Sequence, residues 1–132
     1  MALDVHLVTP EREVWAGPAQ MVIAHGTDGM VGILMGHAPL LIRVSIAPIR
    51  IQLEDGRWVV AVVDGGFLHV TSGEDGTRVD VLANGAELGR DVDRDAARAR
   101  LQGLEGRAGE APDDDALQDE LARARVRADL PS

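Results

Sequence analysis

The sequence has no cysteine, so neither disulfides nor thiolate metal sites can hold it together, which fits a reducing compartment. Aromatic residues are nearly missing: Trp15, Trp58 and Phe67 are the whole set, with no tyrosine. That removes the stacking platforms by which bases are bound. Lysine is absent too, and every side-chain cation is an arginine, a bias that reads as base composition of the coding sequence. No apolar run approaches the roughly 18 residues of a membrane span, and Asp4 occupies a place where a signal peptide carries basic and then apolar residues. The expectation is a soluble, unprocessed chain. Its formal net charge of -9 argues against a nucleic-acid groove or direct binding to an anionic membrane, both of which call for a basic face.

Catalytic groups are equally thin. Ser45, Ser72 and Ser132 are the only serines, and no nucleophile-elbow motif surrounds them. His6, His25, His37 and His69 are scattered, without the spacing of a metal site. The carboxylates of Glu54-Asp55 and Asp113-Asp114-Asp115 fall in a turn and at a helix start, where solvation and capping account for them. The residues point to no catalytic centre, no metal and no resident cofactor.

What is present is alternation. A chain of 132 residues can form one domain, or a domain of about 85 residues with an appendage. Leu3, Val5 and Leu7 alternate with Asp4 and His6, the period of a half-buried strand. Glu13 to Trp15 reads as a short strand closed by Gly17-Pro18, and Gln20 to His25 as the next. Gly26, Gly29 and Gly32 then punctuate what reads as a loop running to Leu40. Their spacing is not that of a dinucleotide-binding loop, and an apolar strand-like segment follows instead of a helix. From Leu40 to Leu53 the apolar phase changes between Ile46 and Ile49, so Ala47-Pro48 must reset the register by a turn or bulge. Asp55-Gly56 suits a hairpin turn, Asp64-Gly65-Gly66 a tight corner, and Val79 and Val81 mark a last strand. Short strands with turn signals every eight to twelve residues predict a mainly β fold, an antiparallel β-sandwich over 1–87.

From residue 88 on, alanine, arginine and aspartate take over. Ala97, Leu101, Leu104 and Ala108 share one helical stripe, with Asp93 as N-cap. Leu117, Leu121, Ala124 and Ala128 form a second stripe, with Asp113 as the expected cap. Residues 88–132 thus read as an α-helical hairpin, made marginal by narrow stripes and by Gly103 and Gly106.

Several motifs agree in order and spacing with one family. Gly26, Gly29 and Gly32-Ile33-Leu34, then Gly36-His37-Ala38-Pro39-Leu40-Leu41, Gly65-Gly66-Phe67-Leu68, and Val81-Leu82-Ala83 with Ala86-Glu87 resemble the epsilon subunit of the bacterial F-type ATP synthase. The resemblance is strongest over the first 87 residues. It implies a sandwich of about ten strands followed by a two-helix hairpin. It also implies a non-catalytic place in the central stalk, at the cytoplasmic face of the bacterial membrane. The partners it implies are the gamma subunit, the subunits of the membrane rotor ring and the catalytic beta subunits, with membrane association only through the complex. By the family pattern Met30 falls in the loop facing the ring, His37 and Ile42 near gamma, and Thr9 at another contact position. Arg123 and Arg127, one helical turn apart, would meet acidic residues of the catalytic subunits and restrain ATP hydrolysis; on the residues alone they are a solvated helix face. Some relatives bind ATP as a regulatory ligand through an aliphatic-Asp-x-x-Arg-Ala motif. Asp93 and Ala97 match it, but Ala96 stands in the arginine slot. The reading from another class is a free-standing β-sandwich binding module, or a small hydrolase, that dimerises through its helices.

Overall fold

Alternating apolar residues form strands because every second side chain can then reach one core. A computed structural model, describing residues 2–130, places them in β1 (Leu3–Val8), β2 (Glu13–Ala19), β3 (Met21–Gly26), β4 (Gly29–Leu34), β5 (Leu40–Gln52), β6 (Trp58–Gly73), β7 (Gly76–Ala83) and β8 (Ala86–Leu88). A short 3-10 turn, Gly89–Asp91, leads into α1 (Arg94–Glu110) and α2 (Asp115–Ala128). The strands bond in the order β2-β1-β7-β6-β5-β3-β4, with β8 beside β6. Pairing is antiparallel except between β1 and β7. Leu3, Leu7, Ile33, Ile51, Leu68 and Val81 are among the fully buried side chains of the single core between the two layers.

The sheet has eight strands among the described residues rather than about ten, because two expected corners bend strands without ending them. β5 and β6 keep one register from Leu40 opposite Val70 to Gln52 opposite Trp58. Yet both change face midway: Val44 is buried before the bend in β5 and Ile49 and Ile51 after it, while β6 buries Ala61 and Val63, then Leu68 and Val70. The two strands turn over together as one bent ribbon, carrying the sheet from one layer into the other. Gly66 makes this possible with a φ of 141°. A Cβ there would stand 2.2 Å from the Leu82 carbonyl oxygen, so only glycine fits. The register reset expected near Ala47-Pro48 occurs against β3 instead, whose pairing with β5 shifts between Ile23 and Gly26. Pro48 lies within that interval, where its missing N–H interrupts no bond to β3.

Two further expectations are corrected. Gly17-Pro18 does not end β2, which is an edge strand and so has one side without a partner to miss proline's donor. The glycine stretch is mostly strand: Gly26 pairs with Gly29 across Thr27-Asp28, and β4 follows as the other edge, leaving a loop only from Met35 to Pro39.

In the hairpin, Asp93 caps α1 by accepting the Ala96 N–H at 3.0 Å. The cap of α2 is Asp114, which accepts the Leu117 N–H at 3.1 Å, one residue later than expected. Leu104, Ala108, Leu117, Leu121 and Ala124 form the small core between the helices, and Arg100 and Glu120 bridge them at 3.2 Å.

Candidate docking surfaces

The outer side of the layer containing β7 carries unexpected apolar residues. Leu68 and Val70 point inward, so Phe67 and His69 point out; Val79 and Val81 point inward, so Leu82 points out. Arg43, Phe67 and Leu82 are opposite one another across β5, β6 and β7, and Leu41, His69 and Asp80 form the next row. Leu41, Phe67 and Leu82 are 65%, 44% and 51% exposed. Arg43 stacks on Phe67, its guanidinium 5.6 Å from the ring centroid. Clustered exposed apolar side chains are characteristic of surfaces that meet a partner.

The contact positions expected from the family pattern frame this patch. Thr9 follows Val8, which pairs with Leu82, and so lies at one end. His37 lies at the other, its carbonyl accepting the Ser72 hydroxyl at 2.7 Å. Thr9 is buried and closes a turn, its N–H donating to the Arg12 carbonyl at 2.9 Å and its hydroxyl accepting the Arg12 N–H at 3.3 Å. His37 is half-buried, and its Nδ1–H donates to the Ala38 carbonyl at 2.7 Å, which fixes the tautomer. Ile42 packs against the core, so at that place Leu41 and Arg43 face outward. Met30 is not in a loop but on the edge strand β4, where it is 66% exposed.

A polar cluster borders the patch on the β1 side. His6 stands opposite Asp80, and its ring contacts Asp4 at 2.8 Å and Glu13 at 3.0 Å. The hydrogen bond with Glu13 raises the His6 pKa above its ordinary value; burial opposes the rise, and the charge of Asp4 adds to it.

The hairpin covers the other layer. Val62, Val92 and Leu130 form a buried cluster flanked by Val60 and Val126. Beside it, Arg127 forks onto Asp64, with Nη1 and Nη2 donating at 2.9 and 3.0 Å, while Nε donates to Glu87 at 2.9 Å. Burial works against the Arg127 charge, but the hydrogen bonds it donates to Asp64 and Glu87 outweigh it and raise its pKa. Arg127 is therefore not on a solvated face; it is turned back onto the sandwich. Arg123 is half-buried and forms no ion pair among the described residues.

Near the start of α1, the Asp93 carboxylate is used in the helix cap, Ala97 is buried and Ala96 is exposed. Arg98 pairs with Asp95 at 3.1 Å. No guanidinium stands in the motif's arginine position.

Sequence reasoning missed Leu41, Phe67 and Leu82, although their phase betrays them: each is apolar at a position whose neighbours along the strand point the other way. It could not have found Asp64 and Glu87, because nothing local announces a partner 63 or 40 residues away.

A family model described as the ATP synthase delta/epsilon chain β-sandwich domain matches residues 2–89. An ATP synthase epsilon chain from Synechococcus sp. (strain JA-2-3B'a(2-13)) is 40% identical over 129 residues, covering 97% of this chain and 90% of the relative. One from Thermobifida fusca is 43% identical over 128 residues, covering 95% and 88%. Among solved structures, a chain of the Euglena gracilis mitochondrial ATP synthase, seen by cryo-EM with OSCP, F1 and c-ring, superposes with a TM-score of 0.76. It covers 96% of this chain and 78% of that one at 22% identity, a likeness of fold.

Proposed function

Since the chain belongs to the ATP synthase epsilon family, we propose that it is a non-catalytic central-stalk subunit that couples gamma to the membrane rotor ring of a proton-translocating enzyme. The observation that carries the coupling role is the uncovered apolar row of Leu41, Phe67 and Leu82, bracketed by Thr9 and His37. Gamma docks on this face. Met30, on the edge of the sheet, meets the ring. The subunit thereby sits at the cytoplasmic face of a bacterial membrane without entering it, and none of the described helices is long and apolar enough to cross one.

The hairpin is the restraining element. Its α2 is held on the sandwich by the Arg127 fork, in which position the Arg127 guanidinium is turned inward. Contact with acidic residues of the catalytic beta subunits requires that fork to open. Restraint of ATP hydrolysis then belongs to the released hairpin and its absence to the docked one.

Docking on gamma is tested with Phe67→Asp and Leu82→Asp. Both side chains are exposed, so circular dichroism and melting should hardly change, while binding to purified gamma weakens by at least about tenfold. Unchanged binding in both variants would place gamma elsewhere, and failure of the unaltered chain to bind gamma at micromolar concentration would remove the coupling role.

A further inference from the structure

A cleft of about 450 Å³ opens where the end of the β5–β6 hairpin approaches β2 and the 3-10 turn. Its walls are apolar: Trp15 from β2, Leu53 and Val59 from the hairpin, and Leu88 from β8. Arg57, Arg90 and Arg94 also line it, and no carboxylate does. That lining runs against the composition of a chain with 22 acidic and 13 basic residues. Its volume lies within the roughly 300–1,000 Å³ of small-molecule pockets.

The arginines are unequally engaged. Arg57 donates to Asp55 at 2.7 Å and Arg94 to the Leu130 carbonyl at 3.3 Å. Arg90 is exposed and forms no ion pair among the described residues. Trp58, which also lines the cleft, is steadied by Arg50, stacked 4.6 Å from its ring centroid. We propose that the cleft binds an amphiphilic organic anion, its apolar body lying between Trp15 and Trp58 and its anionic head meeting Arg90. Burial of the body supplies affinity in proportion to apolar area, and a charge-assisted hydrogen bond to the guanidinium selects the head. None of Asp93, Ala96, Ala97, Arg123 or Arg127 lines this cleft, although Arg94, next to Asp93, does.

The chain provides its own probe, because its only tryptophans are the two that line the cleft. Tryptophan emission of the full-length chain is followed during titration with decanoate, decanol and inorganic phosphate. Decanoate should give a saturable change at submillimolar concentration, with decanol at least about tenfold weaker and phosphate without effect. Arg90→Ala should weaken decanoate about tenfold and leave decanol unchanged, whereas Arg57→Ala, whose guanidinium is held by Asp55, should weaken decanoate less, with folding checked by circular dichroism. A response that never saturates, equal binding of decanol and decanoate, phosphate binding as tight as decanoate, or decanoate binding unaltered in Arg90→Ala would overturn the proposal.

Discussion

At the scale of single residues, two ionic contacts have measurable signs. His6 has carboxylates at both ring nitrogens, and its folded-state pKa is raised above the ordinary imidazole value. Its stabilising contribution is therefore complete below the unfolded value and fades as pH rises through the higher folded one. The melting temperature of the wild type should exceed that of His6→Gln clearly at pH 5 and by less at pH 8. A gap independent of pH would show that the imidazole charge is not what matters. Arg127 is a different case, since its side chain is 20% exposed and that of Asp64 15%. Removing one partner of such a pair falls between an exposed and a buried bridge, about 2 kcal/mol. Arg127→Ala should thus raise amide exchange in α2 on the order of 30-fold while β1 and β7 keep their protection. Exchange unchanged in α2 would mean that the apolar contacts alone hold the hairpin down.

At the scale of elements, α1 is weaker than its role as half of a hairpin requires. An added Cβ at Gly103 or Gly106 meets nothing within 4 Å, so these glycines permit no close approach and only lower helix propensity. Gly103→Ala and Gly106→Ala should each stabilise α1 by about 1 kcal/mol, seen as helix signal surviving to higher denaturant. A loss of stability in either would reveal a contact of α1 that requires glycine. The helices were the most legible part of the sequence, because stripes and caps are local: Ala97, Leu104, Leu117 and Leu121 are all buried and Asp93 caps α1. The strands were legible by phase but not by extent. Ala47-Pro48 announced a register problem, yet its resolution as a shift against β3 alone depends on how three strands pair, which no window of sequence contains. The glycine stretch was misjudged because glycine marks turns and edge strands alike. The exposed apolar row was itself illegible, since it required knowing which phase of each strand faces the core, whereas the expected contact positions beside it, Thr9 and His37, came from motif likeness alone.

At the scale of the whole molecule, the sandwich has two outer faces with opposite fates. One exposes Leu41, Phe67 and Leu82; the other is covered by the hairpin through Val62, Val92 and Leu130. Few fully buried side chains join hairpin to sandwich, each contributing about 1.5–3 kcal/mol, so a partner needs a differential affinity of only several kcal/mol to lift the hairpin. The core inside the sandwich is separate from this seam, and so is the small core between α1 and α2. Deleting everything after Asp91 should therefore leave the β-sheet signal and cooperative unfolding intact. The melting temperature should fall by several degrees, because Val60 and Val62 lose their cover and Asp64 its guanidinium. Reconstituted with the other subunits, the truncated chain should still assemble and should raise ATP hydrolysis above that of the full-length complex. Collapse of the sheet signal would make the hairpin an integral part of the fold. Equal hydrolysis by the two complexes would instead remove the restraining role and leave the sandwich, with its uncovered row, as a coupling element alone.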